Sequence, residues 1–309
     1  MLEVSRDDTS MKVHRLYNGH PILSVEIMPR RIRSLGGQQA QSAEEYSGLV
    51  REISKEADFV TITSSGNASL ESNIRSIDSI NAYCAQLPVY PHLTLMNKVK
   101  EGGRVITRRN DTENIFESIA LKGIESFIII RGDVGDDVKY HIDCYGFLQD
   151  ARETFPDHSI GIACHPEGHP ESISLDSDLQ NFMKKAELAD FALTQIVLDT
   201  AIYEKFRERF SRTAQNSIPI IPEIFIFYSH KNFDFLPKIG RITIPEGMRE
   251  RFARYDEEDV KEAGKEFAIE LGNRFLRAGV PGLHIVSMND LDLTLPVLKE
   301  LAKSCRYAA

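Results

Sequence analysis

The sequence predicts an α/β fold, a single-domain (β/α)8 TIM barrel, on three observations. Eight short apolar runs alternate with helical patterns along the 309 residues. Most of these runs are apolar throughout, as parallel strands covered on both faces must be. No Gly-x-Gly-x-x-Gly follows the first run, which weighs against an open dinucleotide-binding sheet. A barrel of this kind takes about 250 residues. The whole of 1–309 is therefore expected to be one domain, with the barrel core at about 20–305.

The expected strands, in order, are Pro21–Met28, Phe59–Thr63, Val89–Leu95, Glu125–Ile130, Ser159–Ala163, Asp190–Gln195, Ile218–Glu223 and Gly282–Ser287. Helical stripes fall between them. Tyr46, Leu49, Val50, Ile53 and Ala57 recur at helical spacing, as do Leu179, Phe182, Met183 and Ala186, and then Ile202, Tyr203, Phe206 and Phe210. Helix-to-strand junctions repeat: Glu56-Ala57-Asp58-Phe59 echoes Leu188-Ala189-Asp190-Phe191. Lys122-Gly123-Ile124 and Ala278-Gly279-Val280 place glycine where a helix stops. The stretch 227–255, rich in prolines, aromatics and charges, reads as a long loop or lid after the seventh strand.

A net charge of −9 argues against a protein that neutralises phosphate backbones, so nucleic acid is not an expected partner. No apolar run approaches the roughly 18 residues of a membrane helix. The densest, Ile218 to Tyr228, is broken by Pro219, Pro222 and Glu223, so no membrane partner is expected either. The start of the chain has charges and no apolar signal region, and its four cysteines show no Cys-x-x-Cys pair. Reduced thiols and a cytoplasmic location are the expectation.

In a β/α barrel, chemistry sits where strands end. Those positions hold Glu26, Thr63, His92, Arg131-Gly132-Asp133, His165 with Glu167, Gln195, Glu223, and Ser287 with Asn289. Each can donate, accept or ionise, and as a set at one mouth they make a pocket. Two histidines and a carboxylate in His165, Glu167 and His169 also raise a metal-dependent hydrolase as an alternative. Against it, Ser24-Val25-Glu26 stands where such barrels often carry His-x-His.

Five of these strand ends carry a resemblance. Ser24-Val25-Glu26-Ile27-Met28-Pro29, Pro91-His92-Leu93-Thr94, Arg131-Gly132-Asp133, His165-Pro166-Glu167-Gly168-His169-Pro170-Glu171 and Leu193-Thr194-Gln195 resemble, in the same order, motifs of methylenetetrahydrofolate reductases. The likeness runs from about Pro21 to Gln195 and resumes near Gly282–Asn289. It implies reduction of 5,10-methylenetetrahydrofolate to 5-methyltetrahydrofolate, or the reverse, by hydride transfer through bound FAD with NADH or NADPH as donor. Glu26 is the implied general acid, a role that needs burial to raise its pKa from about 4.3. Asp133 is implied to lie between flavin and pterin, with Gln195 and Asn289 as further substrate contacts. The implied flavin contacts are Thr63, His92, Arg131, Gly132 and Tyr140, then His165 and His169. Asp178, Asn181, Lys184 and Lys185 join them at helical spacing, suited to ribose and diphosphate.

The chain also departs from the family's pattern. Ile27, Met28 and Arg30 stand where paired aromatics and a second proline are usual, and His165 stands for a flavin-stacking tyrosine. Asp290 replaces an arginine expected to meet the folate tail, and Glu223 replaces a glycine. The segment Lys98 to Arg109, read as a loop, has five basic residues and one acid, so it offers another hold for an acidic tail. Alternatives within the folate class are direct hydride transfer without flavin, a folate-binding methyltransferase, and a non-catalytic folate binder. A homo-oligomer or a separate electron-delivering protein is left open.

Overall fold

Eight parallel strands close on one another in the computed structural model, which describes residues 20–29, 42–63, 70–84, 86–101, 104–109, 111–132, 144–214, 217–286 and 288–307. The barrel strands are β1 (Ile22–Ile27), β2 (Phe59–Ile62), β3 (Val89–Glu101), β5 (Ser126–Gly132), β6 (Ser159–Cys164), β7 (Phe191–Ile196), β8 (Ile220–Phe225) and β9 (Gly282–Val286). Each pairs with its neighbours in parallel, and the β2–β3 pairing completes the ring. All eight expected strands are present.

Helices α1 (Ala43–Ile53), α2 (Leu70–Cys84), α3 (Thr112–Leu121), α4 (Cys144–Thr154), α5 (Leu175–Ala186) and α6 (Thr200–Thr213) alternate with the strands. The expected stripes are buried as expected: Tyr46, Leu49, Val50 and Ile53 on α1, Leu179, Phe182 and Ala186 on α5, and Tyr203, Phe206 and Phe210 on α6. Ser42 and Glu45 form a reciprocal capping box at the start of α1.

The repeated junction has one physical meaning at both places. The Asp58 carboxylate accepts from Leu23 N–H at 2.7 Å, and the Asp190 carboxylate accepts from Ile160 N–H at 2.8 Å. Each aspartate also donates its own N–H to the carbonyl of that same residue. The two clamps set the registers that bring Ser24 opposite Phe59 and Gly161 opposite Phe191. Arg152 completes the second clamp by donating to Asp190 at 2.8 Å.

Two stretches differ from expectation. Lys98 to Arg109 is not a loop: β3 runs on to Glu101 and pairs antiparallel with β4 (Arg104–Arg109). Val99 stands opposite Ile106 in the register, and the sequence puts Gly102-Gly103 between the two strands, a hairpin signal. The stretch 227–255 holds α7 (Asn232–Ile239) and α8 (Met248–Phe252), anchored by the rings of Phe227, Phe233 and Phe252. Helices α9 (Glu257–Arg277) and α10 (Leu291–Tyr307) complete the outer layer. No helix among the described residues is long and apolar enough to cross a membrane.

Candidate active site

The lower barrel interior is an apolar plug of Ile22, Phe59, Tyr90, Ile128, Phe191 and Ile221. The Tyr90 and Phe191 rings meet edge-on at 5.5 Å, and Gly161 leaves the space Phe191 fills, since a Cβ there would lie 2.5 Å from the ring. Side chains alternate along a strand, so counting by two from the plug gives the interior set above it. That set includes Ser24 and Glu26 on β1, Thr61 and Thr63 after it on β2, His92 on β3, Gln195 on β7 and Glu223 on β8. Polar groups thus fill the half of the barrel that opens at the strand ends.

His284 on β9 belongs to this set and was not among the expected site residues. Its Nδ1 lies 2.8 Å from Ser24 Oγ and its Nε2 lies 3.3 Å from Thr61 Oγ1. Ser24 Oγ donates its proton to the Leu283 carbonyl at 3.2 Å, which leaves it to accept from Nδ1–H. Burial, with His92 nearby, lowers the His284 pKa to about 3, and burial lowers that of His92 to about 4. Both imidazoles are therefore neutral at ordinary pH. The signal was present in the sequence as one histidine at an interior register of an apolar run.

Glu26 sits opposite Thr61 on one side and Val286 on the other. Its carboxyl is surrounded by protein atoms while the residue keeps some contact with the open mouth, and burial pushes its pKa up to about 7. The chain just beyond it is pinned. Asn289 Oδ1 accepts from Met28 N–H at 2.8 Å, Asn289 Nδ2 donates to the Met28 carbonyl at 3.1 Å, and Tyr46 donates to the same carbonyl. Asn289 holds a left-handed backbone with φ of 60° to make this reach. Thr63 is buried, with its N–H on the Ile27 carbonyl.

A second group gathers at the end of β6. The His165 and His169 rings meet edge-on at 4.8 Å. Burial first, then the charges of His169, Lys185 and Arg131, lower the His165 pKa to about 3. Burial likewise lowers that of His169. Arg131 makes two bonds to Glu171, one of them 3.0 Å long. Gly132 adopts φ of 87°, and a Cβ there would lie 2.0 Å from the Met96 carbonyl oxygen, so only glycine lets β5 run this close to β3. On α5, Asp178 accepts from Ser172 Oγ at 2.7 Å, and Lys185 reaches toward the Ala163 carbonyl. Asn181 and Lys184 are exposed, so this helix face runs from solvent to the half-buried Asp178 and Lys185 beside the histidines.

The segment after α7 crosses from β8 toward this group. Thr243 N–H donates to Glu167 at 2.9 Å, with its hydroxyl on the other carboxylate oxygen, and Arg241 donates to the Pro170 carbonyl. Glu167 is thereby engaged by Thr243, and no group of three metal-ligating side chains occurs among the described residues. Gly240 lies against Gln195, where a Cβ would be 3.1 Å from Nε2. Gln195 Oε1 accepts from Ile196 N–H at 2.9 Å. The structure thus brings Glu26, His92, Thr63 and Gln195 to one interior, and Arg131, Gly132, His165, His169, Asp178 and Lys185 to its β5–β6 rim. Asp133 and Tyr140 lie outside the described residues.

Comparison with known proteins gives a consistent answer. The family profile of methylenetetrahydrofolate reductase matches residues 13–302. The 5,10-methylenetetrahydrofolate reductase of Salmonella typhimurium is 26% identical over 286 residues, covering 90% of each chain. That of Buchnera aphidicola subsp. Schizaphis graminum is 32% identical over 174 residues, 55% of this chain and 59% of that one. Among solved structures, a Clostridium thermocellum protein that binds two copies of 5-methyl-5,6,7,8-tetrahydrofolic acid superposes with a TM-score of 0.63 at 17% identity. That alignment covers 94% of this chain and 96% of the other, and it supports the barrel fold. With the profile matched over nearly the whole chain, this protein is an oxidoreductase that belongs to the methylenetetrahydrofolate reductase family.

Proposed function

We propose that the chain reduces the methylene carbon of 5,10-methylenetetrahydrofolate to a methyl group, with FAD held at the β5–β6 rim and NAD(P)H as electron donor. The observation that carries this reading is a buried carboxyl at the barrel mouth, Glu26, whose pKa of about 7 leaves it protonated where the reaction needs an acid. Folate as the ligand class also agrees with what the clostridial structure binds.

The rim residues fit a flavin dinucleotide. Lys184 and Lys185 offer positive charge for a diphosphate, and Asp178 and Asn181 offer partners for ribose hydroxyls. When bound, FAD supplies the hydride chemistry, accepting two electrons from NAD(P)H and passing them to the one-carbon unit.

The chain's own part is to bind, orient and move one proton. Glu26 donates its proton to the bridging nitrogen, and that carbon–nitrogen bond opens to leave a cationic iminium carbon ready for hydride. Gln195, with two donors and an acceptor, addresses the pterin edge, and Gly240, lacking a side chain, leaves room for its carboxamide. Asn289 acts by fixing Met28, and so the end of the strand that carries Glu26. Neutral His92 and His284 keep the interior free of imidazolium charge that would draw Glu26 into its ionised form.

An absorption spectrum before and after anaerobic NADH tests the reading. The purified protein should be yellow, bleach on reduction, and recover colour when methylenetetrahydrofolate is added. A colourless protein that still oxidises NADH with this folate would replace it with direct hydride transfer. A colourless protein that only binds folate would end the reductase assignment for this chain.

A further inference from the structure

Glu223 has no part in the reaction just derived, and a carboxyl is costly to place inside a barrel. Its position is set by β8, two residues after the plug residue Ile221, so it projects to the interior. It stands opposite His284 of β9, while Glu26 stands opposite Val286, two residues further along the same strand. One strand therefore separates the two carboxyl-bearing strands, and both side chains enter the same interior one step apart. Both carboxyls are surrounded by protein atoms with partial access from the mouth.

Two carboxylates in one dry interior do not both ionise readily, because each loses water and each repels the other. The other titratable groups facing this space are His284 from β9, His92 from β3 and His165 from the end of β6. Burial keeps all three imidazoles neutral, so none of them supplies compensating positive charge near neutral pH.

We propose that Glu223 is a positioning residue for the acid step: it and Glu26 share protons, and Glu223 reloads Glu26 from within the barrel. The inference rests on Glu26 being the acid. When Glu26 gives its proton to the bridging nitrogen, the carbon–nitrogen bond breaks and its electron pair stays on nitrogen. The Glu26 carboxylate so formed shares the proton of Glu223, and the pair returns to its doubly protonated state by taking up one proton from solvent buffer at the mouth. No electrons change hands in the relay. Burial, and then the Glu26 charge, push the Glu223 pKa well above the ordinary carboxylate range, so a proton remains on the pair after the first is spent.

The test uses the whole protein with Glu223→Gln and Glu223→Asp. In the wild type, infrared carboxyl signals should disappear with rising pH in two separate steps, the first near pH 7. Glu223→Gln should abolish the upper step. It should also bring the alkaline limb of folate turnover down to the lower one, a loss of at least tenfold above it, and Glu223→Asp should restore that limb. Turnover lowered by the same factor at every pH would mean a merely structural glutamate and overturn the proposal. So would two carboxyl signals that vanish together in the ordinary acid range. Two separate steps in a protein without folate turnover would uphold the shared proton and remove the reductase reading instead.

Discussion

At the scale of single residues, the raised pKa of Glu26 has a consequence for stability. A carboxyl with an ordinary pKa of 4.5 that rises to about 7 on folding binds a proton more tightly in the native state. Above pH 4.5 the unfolded chain releases that proton while the native chain keeps it, so stability falls as pH rises toward 7. Glu26→Gln removes this penalty. The variant should be more stable than wild type by roughly 3 kcal/mol at pH 7 and above, with little difference near pH 4. Urea midpoints at the two pH values check this, and an equal effect at both would mean the carboxyl is not held protonated. On the proposed mechanism the same substitution should preserve NADH-driven bleaching and abolish folate turnover, because only the second half-reaction would use the acid. Loss of both half-reactions together would remove Glu26 from the acid role. The sequence could place this glutamate at the first strand end, but its environment depends on what lies across the barrel. His284, from a strand more than 250 positions away, meets Ser24 and Thr61 there, and no local motif announces that meeting.

At the scale of elements, α5 and the strand clamps divide binding from stability. Half-buried Lys185 and exposed Lys184 lie on the helix face that runs toward His165, so Lys184→Ala with Lys185→Ala should weaken flavin retention. Each lost charge-assisted contact is worth roughly 1.5–3 kcal/mol, so the apoprotein should load at least tenfold less tightly while its urea midpoint stays nearly unchanged. A fall in stability with unchanged flavin affinity would assign the lysines to the fold. Asp190 is the opposite case. Its carboxylate joins the Ile160 N–H to the Arg152 guanidinium at the foot of β6 and β7, both partly buried. Asp190→Ala leaves an N–H and a cation without their acceptor and should cost about 2–4 kcal/mol by urea unfolding. An effect below 0.5 kcal/mol, as for a surface pair, would show that water replaces the clamp. This clamp was legible as a repeated Ala-Asp-Phe triplet, whereas the β3–β4 hairpin was not read as one. Its run of charges reads as a loop, while the Gly-Gly pair between the strands is the signal in the sequence that marks the hairpin.

At the scale of the whole molecule, strand count, strand order and the barrel mouth were readable because each depends on local periodicity. Continuous apolar runs mark strands, and a parallel barrel puts their ends together whatever their separation in the chain. The interior was readable only in part: Glu26, His92, His165 and Glu223 stand at strand ends in the sequence, but how they and His284 face one another follows only from closure of eight strands into one space. That interior holds two carboxyls of raised pKa and three imidazoles of lowered pKa, Glu26, Glu223, His92, His165 and His284, so the native state keeps all five largely uncharged between about pH 4.5 and 6.5. The pH dependence of stability follows from their signs. Below about 6.5, the unfolded chain protonates its histidines while the native chain does not, down to pKa values of about 3 to 4. The unfolded state then binds more protons, and stability rises with pH across that range. Above 4.5 the unfolded carboxyls release protons that the native state retains, and stability falls with rising pH. The two slopes oppose each other between 4.5 and 6.5; only the histidines act below that window and only the carboxyls above it. The wild-type urea midpoint should therefore be highest between about pH 4.5 and 6.5 and decline on both sides. The alkaline decline should become shallower in Glu26→Gln and shallower still when Glu223→Gln is added. A midpoint that climbs steadily to pH 8 in the wild type would mean that the barrel interior carries charge, and with it the protonated acid would be lost from the mechanism.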